Sequence, residues 1–192
     1  MGLRILVIPG STREAAFSKR LARAVPPAVP PGHAATVIDL RDYAMPLYDG
    51  DLEAAEGLPD GAVRLRALVQ QHDALLFVSP EYNSSIPAVL KNTIDWLSRP
   101  YAAQPGVSAF HGKVACLMSS SPGALGGMRG LVHLRQILMN LGVLVVTEQF
   151  SLSKANEAFA DDGSLRDERG QKGVAKVVEA LVRVATALGE KG

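Results

Sequence analysis

The chain has 192 residues, 47% of them hydrophobic and 20% charged, which suits one ordinary domain over 1–192 and excludes a disordered chain. Twenty Lys and Arg against nineteen Asp and Glu leave a formal net charge of +1. That is neither the basic footprint of a nucleic-acid binder nor the charge of a strongly acidic electron carrier.

The first element is the apolar run 3–9, a strand, and a helix follows it until the proline cluster 26–31 ends that helix. Further strand-length runs rich in Val, Ile and Leu cover 35–40, 74–79, 113–119 and 143–146. They are continuous rather than alternating, as expected of parallel strands covered on both faces. Helical periodicity fills the intervals at 64–72, 88–97 and 131–141. A last helix lays Val174, Val177, Val178, Leu181, Val184, Ala185 and Leu188 along one stripe. The segment 161–170 is a polar loop. Five strands alternating with helices predict an α/β fold, a doubly wound five-stranded parallel sheet in a three-layer sandwich.

Neither 114–128 nor 137–147 is long enough for a membrane span, so no membrane attachment is expected. The lone Cys116 lies mid-strand, where it is expected to be a small buried hydrophobe in a reducing, cytoplasmic setting. His33, His72, His111 and His133 have no ligand spacing to one another or to Cys116, so no metal site is expected. No G-x-S-x-G elbow and no paired carboxylates appear either.

Ligands of such sheets sit beyond the carboxyl ends of the strands, at the point where the winding reverses. Three loops therefore carry the functional reading. After the first strand, Gly10 permits a sharp turn, Ser11, Thr12 and Ser18 offer hydroxyls, and Arg13 offers a planar cation. Together with a helix start they suit a phosphate. After the third strand, Pro80-Glu81-Tyr82-Asn83 places an aromatic ring and amide groups in a loop stiffened by Pro80 and Pro87, suited to border a planar ligand. After the fourth, Ser120, Ser121 and Gly123 begin a small-residue floor that runs to Gly126-Gly127, with Arg129 opening the next helix. A phosphate pocket, an aromatic wall and a small-residue floor describe a phosphorylated planar cofactor such as FMN. Taken singly, each loop also has a bland reading: a capped turn, a packed tyrosine, a flexible linker.

Gly10-Ser11-x-Arg13, the block from Pro80-Glu81-Tyr82-Asn83 through Pro87 and Leu90-Lys91-Asn92 to Ile94-Asp95-Trp96, and Gly126-Gly127-x-Arg129 with Leu134-Arg135-Gln136 resemble the NADPH-dependent FMN reductase family. The branch most like it is the bacterial chromate/quinone reductases, and the resemblance extends over residues 3 to 150. It implies a flavodoxin-like fold with sheet order 2-1-3-4-5, one FMN per subunit and a homodimer or tetramer with the flavin close to the interface. By position it implies that Ser11, Arg13 and Ser18 hold the phosphate. Pro80, Glu81, Tyr82 and Asn83 would border the isoalloxazine ring, with Ser120, Ser121 and Gly123 near its pyrimidine side. Hydride would pass from NADPH or NADH through flavin N5 to a quinone, azo compound, chromate or free flavin, by a ping-pong course. No acid–base residue is assigned, because the cofactor carries the chemistry. The alternative is an electron-transfer or flavin-binding module with no NAD(P)H activity of its own, against which the balanced charge counts. Asp95 and Trp96 are expected to form a partner or packing face.

Overall fold

The computed structural model describes residues 2–189. Five parallel strands form one sheet in the order β2-β1-β3-β4-β5. They are β1 (Arg4–Pro9), β2 (Ala34–Val37), β3 (Ala74–Ser79), β4 (Val114–Ser120) and β5 (Leu144–Leu152). Successive side chains of a strand point to opposite faces, so each central strand feeds two cores. Ile5, Val7, Leu76, Val78, Cys116 and Met118 face one layer, where α1 (Phe17–Arg23) and α6 (Glu168–Gly189) contribute Leu21, Val174, Val178 and Leu181. Leu6, Ile8, Leu75, Phe77, Ala115 and Leu117 face the other, closed by Leu65, Leu90, Ile94, Leu131 and Leu134. Those residues come from α3 (Asp60–Gln71), α4 (Ala88–Leu97) and α5 (Met128–Asn140). The doubly wound three-layer sandwich read from the sequence is therefore the fold, with the expected strand order.

Several boundaries move, each for a local reason. The second strand stops at Val37 because the Asp39 carboxylate accepts the Arg41 amide at 3.0 Å and turns the chain into a short 3-10 helix, Leu40–Tyr43. The fifth strand runs to Leu152, six residues past the end of the apolar run 143–146. As an edge strand it mixes polar and apolar residues, so no continuous run marks it. A helix absent from the sequence reading, α2 (Gly50–Glu56), starts at Asp49, whose side chain caps the amides of Asp51 and Leu52.

Segment 46–53 straps the outside of α4. The Pro46 carbonyl accepts from Trp96 Nε1 at 2.9 Å and from Asn92 Nδ2 at 2.8 Å, and Asn92 Oδ1 accepts the Tyr48 amide at 2.7 Å. Tyr48 meets the Trp96 ring edge-on at 5.0 Å, and Glu53 pairs with Arg99 at 2.8 Å. Trp96 is consequently fully buried by its own chain. It is a packing residue and leaves no indole for a partner.

Arg66 does similar work on α3. Its guanidinium, 1% exposed, donates to the carbonyls of Leu97, Arg99, Pro105 and Gly106 and to Ser108 Oγ, at 2.6–3.1 Å. Burial lowers its pKa, and the carbonyls take the place of a counter-ion. The cation thereby fixes the connection between α4 and β4. Within it, Tyr101 and Gln104 bridge a two-residue turn whose centre, Ala102 and Ala103, has φ of 49° and 63°. Such turns favour Asn-Gly, because a Cβ in the left-handed region costs about 1–2 kcal/mol. Ala103→Gly is expected to stabilise the fold by about 0.5–1 kcal/mol net of the added unfolded-state entropy. A thermal melt should rise by roughly 2–3 °C; a fall would mean that the turn is not strained there.

Candidate functional site

Pairing of Pro9 with Val78, of Ser79 with Ser119 and of Ser120 with Leu152 brings the ends of β1, β3, β4 and β5 to one edge. The three loops singled out in the sequence leave from there side by side. Between β1 and β3 the winding reverses: α1 leaves to one face and α4 to the other. That geometry opens a crevice where open α/β sheets take their ligands.

Gly10 starts the first loop, its amide donating to the Val78 carbonyl at 2.9 Å. A Cβ there would lie 2.9 Å from Leu90 Cδ2, so the bare backbone lets α4 close on the loop. Ser11 is buried and its hydroxyl accepts the Arg13 amide at 3.2 Å. Arg13 itself is exposed, and its side chain makes no hydrogen bond or ion pair with another described residue. Ser18, in the first turn of α1, is fully buried and its Oγ has no hydrogen-bond partner.

Lys19 and Asp39 brace this loop from behind. Lys19 Nζ lies 2.7 Å from the Asp39 carboxylate and 3.3 Å from the Thr12 carbonyl, with only 6% of its side chain exposed. Burial pushes the Asp39 carboxyl up, but Lys19 and Arg41 outweigh it and hold its pKa below the ordinary value. The pair escaped the sequence reading because the two residues are distant in sequence. Only the β2-β1 adjacency joins them, and that adjacency was already implied.

The second loop is a tight turn. Tyr82 and Ser85 exchange both backbone hydrogen bonds at 3.0 Å around Asn83 and Ser84, whose φ values are 51° and 64°. Tyr82 is half exposed at its start, and Pro80 is partly buried at the strand end. Glu81 points the other way, into the start of α5. Its carboxylate accepts the amides of Arg129 at 3.0 Å and Gly130 at 3.2 Å, and pairs with the Arg129 side chain. Burial pushes this carboxyl up, while Arg129 and the Gly130 amide outweigh it and bring its pKa below the usual range. His133 Nδ1 lies 2.8 Å from Ser85 Oγ, a second tie between α5 and this turn.

In the third loop, Ser120 is buried and its Oγ also lacks a partner, while Ser121 Oγ accepts the exposed Gly123 amide at 3.2 Å. Gly126 and Gly127 have φ of 60° and 86°. A Cβ on Gly126 would sit 2.8 Å from the backbone of Leu152 and Ser153, so the loop lies directly on the end of β5. Cys116 is buried two turns of pleat below, its thiol pushed up to about 12 by burial, which removes it as a nucleophile.

The chemistry of the edge is therefore specific. Three buried side-chain polar atoms lack a partner among the described residues, and two of them, Ser18 Oγ and Ser120 Oγ, belong to these loops. Buried hydroxyls are ordinarily satisfied, so these two stand out among the side chains of this edge. Arg13, exposed and unpaired among the described residues, belongs to the first loop, whose residue types fit a phosphate. The turn at Tyr82 and the small-residue loop offer an aromatic face and amides for a planar ring. The residues present fit FMN. A cavity of about 320 Å³ among Thr12, Leu40, Tyr43, Met45 and Val89 flanks the first loop. Another of about 290 Å³, lined by Leu152, Lys154 and Arg169, lies beyond the third. No described helix is long and apolar enough to cross a membrane.

Comparison with known proteins points the same way. The family model described as NADPH-dependent FMN reductase matches residues 3–157. A quinone reductase of Pseudomonas putida is 37% identical over 166 residues, 85% of each chain. An NAD(P)H-dependent FMN reductase of Pseudomonas aeruginosa is 36% identical over 180 residues, 93% of each chain. Among solved structures, FerB, a flavoenzyme NAD(P)H:(acceptor) oxidoreductase from Paracoccus denitrificans, superimposes with a TM-score of 0.80 at 28% identity, over 96% of this chain and 98% of that one.

Proposed function

The chain belongs to the NADPH-dependent FMN reductase family, and from that premise we propose that it is an NAD(P)H:quinone oxidoreductase working through one FMN held at the β1–β3–β4 edge. It is an oxidoreductase, with FMN as cofactor and NAD(P)H as reductant. Quinones are the acceptor class favoured, because relatives from several bacteria carry that activity in their names. The single observation carrying the site is the convergence of the three loops on one sheet edge, with Arg13 exposed and unpaired among the described residues and Tyr82 half exposed there.

When bound, FMN supplies the redox chemistry, accepting hydride from NAD(P)H and delivering it to the acceptor. Ser11, Arg13 and Ser18 would hold the phosphate, Arg13 through a charge-assisted fork. The ring is bordered by Pro80, Glu81, Tyr82 and Asn83, with only backbone contributed at Glu81, whose carboxylate is engaged elsewhere. Ser120, Ser121 and Gly123 address the pyrimidine side, where their small side chains let the ring approach the backbone closely. No side chain is required as acid or base.

A ping-pong course belongs to this reading: oxidised nicotinamide leaves before the acceptor enters. Initial rates with NADPH and a soluble benzoquinone varied together should give parallel double-reciprocal lines; lines that intersect contradict the shared site. Azo compounds, chromate and free flavin are further acceptors in the same reading. So is cytoplasmic location, which the single unreactive thiol supports.

Self-association into a homodimer or tetramer is also proposed. Met128, Val132 and Met139 are exposed along α5, with Leu125 exposed in the loop before it and Leu144 on the edge strand. Exposed apolar side chains at helical spacing on α5 support this face as the contact. Trp96, covered by segment 46–53, does not.

A further inference from the structure

We propose that Glu81 is a positioning residue that sets the reduction potential of the flavin, by neutralising Arg129 and the amino end of α5 where the ring is bordered. The inference rests on the FMN reading and adds to it a role for a carboxylate that does not touch the ring.

The geometry is that of a deliberate clasp. Glu81 is one residue from Pro80 and from Tyr82, yet its side chain is only 7% exposed. Both oxygens are committed: one to the Arg129 side chain, the other to the amides of Arg129 and Gly130. These are first-turn amides of a 13-residue helix, so the carboxylate sits on the positive end of its dipole. The backbone is shaped to permit the approach. A Cβ on Gly127 would lie 3.4 Å from Glu81 Cβ, and one on Gly130 would lie 3.1 Å from the Ser85 carbonyl. Small residues at both positions let the second and third loops close on one another around this contact.

Two positive features, the Arg129 guanidinium and the α5 terminus, are thus tied to the loop that holds Pro80 and Tyr82, and one negative charge answers them. The neighbouring charged and titratable groups on α4, α5 and the Tyr82 turn make their contacts elsewhere. His133 is tied to Ser85, and Lys91 pairs with Asp95 on α4. If Glu81 loses its charge, the positive field is left uncompensated in a partly desolvated place. Reduction of FMN adds negative charge to the ring, so that field binds the reduced form more tightly than the oxidised one. The potential must then rise.

Glu81→Gln keeps the shape and removes the charge. It is expected to raise the ratio of reduced to oxidised FMN affinity about tenfold, which for a two-electron couple is about 30 mV. Arg129→Gln is expected to shift the potential in the opposite direction, and the double variant to return it close to the wild-type value. Glu81→Asp, which keeps the charge at a poorer geometry, should stay close to wild type in potential even if it binds FMN less tightly. The measurement is a spectroscopic titration of bound FMN against a reference dye, paired with FMN affinity in each redox state. Equal weakening of both states by Glu81→Gln, with the potential unmoved, overturns the proposal and leaves Glu81 a helix cap only. Opposite shifts that fail to cancel in the double variant overturn it too. A wild-type protein that takes up no FMN overturns the FMN reading itself.

Discussion

Arg13→Ala is expected to weaken FMN binding by about 1.5–3 kcal/mol, roughly 10- to 150-fold, while the apoprotein melts as before. The two halves of that statement have separate physical causes. Arg13 is exposed and its side chain touches no other described residue by hydrogen bond or ion pair, so its removal costs the empty fold almost nothing. Its value appears only when an anion enters, as a charge-assisted fork on a phosphate. The loss should shrink as salt is raised, because an exposed cation is screened. Titration of apoprotein with FMN, followed by flavin fluorescence, checks it. Unchanged affinity would remove Arg13 from the phosphate site, leaving Ser11 and Ser18.

Gly126→Ala should be costly in the opposite sense, acting on the fold first. The residue has φ of 60°, where a Cβ costs about 1–2 kcal/mol. Its Cβ would also lie 2.8 Å from the backbone of Leu152 and Ser153, which cannot swing aside as a side-chain end can. Overpacking of that kind adds about 1–3 kcal/mol, so a total near 3 kcal/mol is expected. The third loop would lift from β5 and FMN uptake would fall with it. Gly163→Ala is the control: φ is 86° but no atom lies within 4 Å of its Cβ position, so only the backbone cost applies. Urea midpoints of the two variants measure the difference. Equal losses would show that no contact with β5 is made.

The fold was legible where the sequence writes in continuous apolar runs. β3 occupies 74–79 and α4 occupies 88–97, as read, because a strand buried on both faces and a helix with one apolar side leave unambiguous periods. The edge strand β5 was half visible, since its outer residues Thr147, Glu148 and Gln149 face solvent or neighbours and break the run. α2 was not read from the sequence, being short and without a buried residue to mark a period. The loops of the site were legible as residue types, whereas their states were not. That Ser18 lacks a partner follows from packing alone, and that the carboxylate of Glu81 turns to Arg129, 48 residues on, follows from the third dimension. Trp96 shows the same limit, since sequence could place it on α4 but not beneath Pro46 and Tyr48.

Binding and reduction of FMN by the isolated chain are the claim on which everything else stands. Apoprotein is incubated with FMN, freed of excess by gel filtration, and its absorbance followed anaerobically as NADPH, then NADH in a second cuvette, is added. Retained flavin bands that bleach with either donor, the faster one giving the preference, are the predicted result. Retained flavin that neither donor bleaches would make the chain a flavin carrier rather than a reductase.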